Sequence, residues 1–209
     1  MPTFGFVKIN DSMHRIILAL LLTASFQTAF SQSGKIEDLY LDYTTVRNSP
    51  DQKAAKEKTQ ALLARSAELN EKQVANVNYH MARIYEEQKQ PDLAIPHYEK
   101  VIKMVPGYYV AQRALGFLLL EKSNVLANKV TAAAKAKNAT LHAESFKAYK
   151  KQILALLPYL EKSQACDADE RTLQTITNLY KSIKEPGLFS TLSTRLKEKG
   201  ADCVTLLDD

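Results

Sequence analysis

The sequence predicts an all-α chain of antiparallel helix pairs, and three observations carry that expectation. Strong helix formers dominate, while Gly numbers only 6 and Pro only 7 in 209 residues. No stretch alternates apolar and polar residues around β-branched side chains, as a half-buried strand would. Apolar residues instead recur at helical spacing, as in Met81, Ala82, Ile84 and Tyr85, then Ala94, Ile95, Tyr98, Val101 and Ile102. The length suits one domain or one short solenoid. With 45% apolar and 24% charged residues, the composition is that of a globular chain with a buried core.

In chain order, residues 1–31 read as upstream residues and a signal peptide. Met13 to Ser31 runs MHRIILALLLTASFQTAFS. Arg15 precedes an apolar run, Ile16 to Leu22, and a polar stretch ends in Ala29-Phe30-Ser31, with small residues where a signal peptidase reads. Cleavage after Ser31 leaves Gln32 first, and residues 1–12 point to Met13 as the start. The apolar run falls short of the roughly 20 residues that span hydrocarbon, which argues against an anchor. A second apolar run, Ala114 to Leu120, lies between Arg113 and Glu121 and reads as a buried helix face. The expectation is an exported protein, periplasmic or secreted, with no transmembrane span in its mature chain.

Residues 32–74 form an N-terminal helical pair or cap. Its helices are Ile36 to Val46 and Lys53 to Ala67, divided by the capping run Asn48-Ser49-Pro50-Asp51. In residues 75–108, small Ala82 and Ala94 let two helices approach closely. Pro91 and Asp92 open the second helix, and Pro106-Gly107 stop it. Leu115 and Gly116 then follow 34 residues after Met81 and Ala82, with Leu119 in the place of Tyr85. The run LLPYLEKSQACDAD (Leu156 to Asp169) mirrors AIPHYEKVIKMVPG, but at an offset of 62, which leaves 28 extra residues at about 123–150 within the unit 109–169. In 170–200, Leu173, Ile176 and Tyr180 mark a third pair. Glu185-Pro186-Gly187 make its turn, Leu188 to Lys199 its closing helix and Gly200 its stop. Arg195, Lys197 and Lys199 suit the polar outer side of a terminal unit. Residues 201–209 are a C-terminal tail.

The segment Asn78 to Tyr108 resembles a tetratricopeptide repeat, a 34-residue helix–turn–helix unit. Met81 and Ala82 match its Leu-Gly pair and Tyr85 its aromatic position. Ala94, Tyr98 and Val101 match its second helix, and Pro106 its closing Pro. Asn78 departs from the opening Trp. The resemblance, to small exported bacterial proteins of this type, implies a short α-solenoid with a helical insertion in its second unit. It implies a protein- or peptide-binding scaffold or adaptor in the cell envelope, with neither catalysis nor cofactor. In that family the first helix of each unit lines a concave surface. By position this face comprises Asn76, Tyr79, Arg83 and Glu86, then Arg113 and Phe117, then Gln174, Asn178 and Lys181. Amides suit a peptide backbone, and Arg83 or Arg113 a carboxylate.

The remaining residues offer little chemistry. His14, His80, His97 and His142 stand in no metal-binding spacing, and no nucleophile–base set or paired catalytic carboxylates stand out. No enzyme, metal or cofactor is therefore expected. Cys166 and Cys203 form a disulfide if the chain is exported; two separate buried thiols are the alternative. Asp167, Asp169 and Glu170 read as a helix start. Lys129, Lys135, Lys137, Lys147, Lys150 and Lys151 in the insertion form a solvated helix face, or a basic surface for a membrane or an acidic partner. The net charge of +5 is too mild and too spread for nucleic acid. The rival reading is a structural accessory subunit of an envelope assembly, docking through its convex face or the basic insertion.

Overall fold

The computed structural model describes residues 34–207; the expected signal segment at 13–31 lies outside them. Nine α-helices follow one another among the described residues: α1 (Ile36–Val46), α2 (Gln52–Ala64), α3 (Glu71–Glu87), α4 (Pro91–Met104), α5 (Tyr109–Lys135), α6 (Ala139–Cys166), α7 (Glu170–Ser182), α8 (Pro186–Ser190) and α9 (Leu192–Lys199). A 3₁₀ turn, Ser66–Glu68, links α2 to α3. The fold is all-α; among the described residues the one piece of extended pairing is an isolated parallel bridge between Tyr108 and Val204. No helix among the described residues is long and apolar enough to cross a membrane.

Helix starts follow the sequence. Asp51 accepts from the amides of Lys53 and Ala54 to open α2, and Asn70 with Gln73 makes a reciprocal capping box on α3. Asn138 opens α6 and Asp169 opens α7. The Thr172 amide and hydroxyl donate to the Asp169 carboxylate at 2.7 and 2.6 Å, which holds its pKa below the usual carboxylate value.

Three helix ends share one device. Lys89, Lys137 and Lys184 follow α3, α5 and α7 with φ of 56°, 53° and 56°. The next amides, of Gln90, Asn138 and Glu185, reach back to the carbonyls of Tyr85, Ala133 and Tyr180 at 2.9, 3.1 and 3.1 Å. Left-handed closure of this kind satisfies carbonyls that a helix end would otherwise orphan.

The extra residues 123–150 make no separate element. They lengthen α5 and α6, joined by a short turn, into a hairpin longer than any other pair. About fourteen residues go to each arm, close to four turns, so the buried face keeps its phase. Pro158 stands inside α6, as its counterpart Pro96 stands inside α4. The expected closing helix from Leu188 to Lys199 is instead broken into α8 and α9. At the break, Arg195 donates to the Leu188 carbonyl (2.7 Å) and the Thr191 hydroxyl (2.6 Å).

The core runs through three clusters. Tyr40, Tyr43, Leu62 and Val77 join α1, α2 and α3. Ala82, Ala94, Tyr98, Val101, Tyr108, Ala111 and Leu115 join α3, α4 and α5. Ile153, Leu156, Leu160, Ile176, Tyr180, Ile183 and Leu192 join α6, α7 and α9. Leu119 packs against both of the last two, which makes them continuous.

Gly116 sets the spacing of α5 and α6: a Cβ there would lie 2.5 Å from Leu160 Cδ2 and 2.8 Å from its Cγ. Alanine improves helix propensity by about 1 kcal/mol but overpacks at a cost of about 1–3 kcal/mol. Gly116→Ala is therefore expected to destabilise by up to about 2 kcal/mol, read as a lower urea midpoint at unchanged m-value.

Candidate functional site

Local sequence brings a set of polar groups to one side of α3. The turn Arg47-Asn48-Ser49-Pro50, the first residues of α2 and the last two turns of α3 enclose a cleft of about 410 Å³. Its chemistry comes from Arg47, Ser49, Gln52, His80, Arg83 and Glu87. Pro50 and the Asp51 cap fix where α2 begins and so place Gln52. On α3, Ile84 lines the cleft itself at 8% exposure, while Val77, fully buried, packs in the cluster with Tyr40, Tyr43 and Leu62.

Arg83 is the most open cation of the cleft, with 52% of its side chain exposed. It donates from Nη2 to Glu87 Oε1 at 3.0 Å, while Gln52 donates from Nε2 to Glu87 Oε2 at 2.9 Å. One carboxylate thus engages both side chains, and the Arg83 guanidinium stays about half exposed. His80 makes a hydrogen bond with the Tyr43 hydroxyl, and the two rings lie 5.5 Å apart. Lys56 sits 5.1 Å above the Tyr85 ring, and its ammonium donates to Gln88 Oε1 at 2.8 Å. The arrangement can present a guanidinium and an amide to a carboxylate or a peptide group.

Beside it, the Tyr98 hydroxyl donates to Glu86 Oε2 at 2.6 Å. Burial first, then this bond, push the Tyr98 phenol far above its usual range, so it stays neutral. His97 stacks on Tyr85 with its Nδ1 2.9 Å from Asn78 Oδ1. Burial, then nearby Lys100, lower the His97 pKa below its ordinary value. Its contribution to stability is therefore full above that value and is lost as pH falls below it.

The nine residues expected on one concave face take different places. Asn76 is buried, 3% exposed, with Nδ2 3.5 Å from the Tyr40 hydroxyl. Tyr79 is half-buried, edge-on to Tyr98 and Tyr108. Arg83 and Glu86 are exposed on α3. Arg113 is turned onto the end of α6, where it donates to Ser163 Oγ (2.8 Å), Asp167 Oδ2 (3.0 Å) and the Asp167 carbonyl (2.8 Å). Phe117 packs half-buried against the cluster of α6, α7 and α9, with the Arg171 guanidinium 5.9 Å from its ring. Gln174, Asn178 and Lys181 stand exposed on α7.

Cys166 and Cys203 are joined in a disulfide, with Cα atoms 5.5 Å apart. Among the described residues, no group of three His, Cys, Asp or Glu side chains is placed to hold a metal ion.

Sequence reasoning missed Arg47, Gln52 and His80 as members of the cleft. The available signal was the turn before α2, whose Pro and Asp fix its geometry, but its docking against α3 is a tertiary contact. Comparison with protein families, curated proteins and solved structures finds no match to this chain.

Proposed function

We propose that this chain is an exported helical-repeat scaffold of the tetratricopeptide type that binds a protein or extended peptide and performs no chemistry. The observation that carries the reading is the polar cleft on α3, where the half-exposed Arg83 guanidinium is held by Glu87. Two regularities support the repeat part of it. Met81 and Ala82 are buried on α3, and Leu115 and Gly116 are buried at the same step 34 residues later on α5. The first helices of the three expected repeat units, α3, α5 and α7, each end on a left-handed lysine. The partner this cleft suits is an acidic or C-terminal peptide segment, with a carboxylate on Arg83 and main-chain groups on Gln52.

Arg83→Glu is expected to reduce capture of that partner by roughly tenfold or more, since a hydrogen bond to a charged group is worth about 1.5–3 kcal/mol. Folding should barely change, because the pair with Glu87 is an exposed helix pair worth about 0.3–0.5 kcal/mol. Affinity capture from envelope extract, with thermal unfolding as the control, measures both.

A second reading rests on the outer half of the α5–α6 hairpin. There Lys129, Lys135, Lys137, Lys147 and Lys151 are exposed, while Lys150 is taken up by Glu185. On this reading the chain is an accessory subunit that docks an acidic surface through the hairpin.

A further inference from the structure

The segment after α9 does not trail into solvent. The Lys162 ammonium donates to the carbonyls of Lys199 (2.8 Å) and Ala201 (2.6 Å). Cys203 is bonded to Cys166, the last residue of α6. The Val204 amide donates to the Gly107 carbonyl at 2.8 Å, beside the parallel bridge to Tyr108. Val204 and Leu207 pack on the cluster shared by α3, α4 and α5.

The α4–α5 turn is shaped for this strap. A Cβ on Gly107 would lie 1.9 Å from the Asp202 carbonyl oxygen and 3.1 Å from Val204 Cγ2, so only glycine leaves room. Beyond the bridge, Val204, Leu206 and Leu207 face Lys72, Ala75 and Val105 across a cavity of about 240 Å³. Leu206 is 72% exposed, so the seat is only partly filled. Main-chain pairing beside aliphatic pockets is how a fold takes up an extended peptide.

We propose that residues 201–207 are a latch: an extended segment seated in cis on a peptide-accepting groove between the α4–α5 turn and the start of α3, locked by the Cys166–Cys203 disulfide and opened by a dithiol reductant. Cys203 is exposed, so a reductant thiolate can reach its sulfur. Attack forms a mixed disulfide on Cys203, the Cys166–Cys203 bond breaks, and Cys166 leaves as a thiolate that takes up a proton. The second reductant thiolate then displaces Cys203 as a thiol. Two electrons pass to the protein, and the reductant departs as a disulfide. The latch is then held only by the Lys162 and Gly107 hydrogen bonds and by Val204 and Leu207. The groove then accepts an extended segment with aliphatic side chains of the same kind. It lies at the opposite end of α3 from Arg83, so the inference stands independently of the cleft.

The test uses the full chain and a labelled synthetic peptide of residues 200–209 carrying Cys203→Ser. The peptide is titrated into the millimolar range, because the tethered latch competes at a roughly millimolar effective concentration. Fluorescence anisotropy is expected to show no binding to the oxidised chain and binding after reduction with dithiothreitol. Hydrogen exchange at the Val204 amide should speed up by at least about tenfold while helical ellipticity is retained. Gly107→Ala should abolish peptide binding to the reduced chain, because the new Cβ would meet the Asp202 carbonyl of any such segment seated there. Equal binding before and after reduction, no binding to either form, or collapse of the helical signal on reduction would overturn the latch.

Discussion

Glu161→Ala is expected to lower stability by roughly 3–5 kcal/mol, the cost of removing one partner from a buried ion pair. The Glu161 side chain is 3% exposed. Its Oε1 accepts from Arg195 Nη2 and from the Tyr180 hydroxyl, both at 2.6 Å, and its Oε2 from Arg195 Nε at 3.3 Å. Burial first, then the bond to Glu161, push the Tyr180 phenol well above its usual range, so it remains a donor. Without the carboxylate, a guanidinium and a phenol lose their acceptor together. Arg195 also holds the carbonyl of Leu188, so the break between α8 and α9 should loosen as well. The test is a urea melt. Replacing Glu161 and Arg195 together with methionine should recover much of the loss, because desolvating the pair is itself costly.

The second large effect is the disulfide. It closes a loop with a sequence separation of 37. In the chain-entropy picture such a loop is worth roughly 4 kcal/mol. Cys166→Ser, Cys203→Ser or full reduction should each lower Tm by roughly 8–16 °C, at 2–4 °C per kcal/mol for a domain of this size. The folded helices should persist at 25 °C, because most of the core lies in clusters that exclude both cysteines. Calorimetry with and without reductant measures the shift.

Much of the fold was legible in the sequence because it depends on local signals. The caps at Asp51 and Asp169, the opening Pro91 and the buried stripes on α3, α4 and α7 all act within one or two turns. The extra 28 residues were legible as a helical insertion because they leave the helical phase intact on both arms. The left-handed lysines were not, because lysine carries no signal for positive φ; the backbone bonds of the helix ends hold them there. The partners of Arg113 and Arg195 were not legible either. Both read as surface cations, one for a ligand and one for an outer face. Their acceptors, Asp167 and Glu161, lie 54 and 34 residues away and meet them only through helix packing. For the same reason Arg83 keeps an open guanidinium while Arg113 is spent inside the chain, although both were expected to contact a partner.

The direct test of the scaffold reading is affinity capture from envelope extract, run side by side with three full-length chains. These are the native protein, Arg83→Glu, and a chain with Lys129, Lys135, Lys137 and Lys147 replaced by glutamine. If the α3 cleft holds the partner, Arg83→Glu loses it and the lysine-depleted chain keeps it. Retention by Arg83→Glu with loss from the lysine-depleted chain would contradict the account and move the interaction to the hairpin.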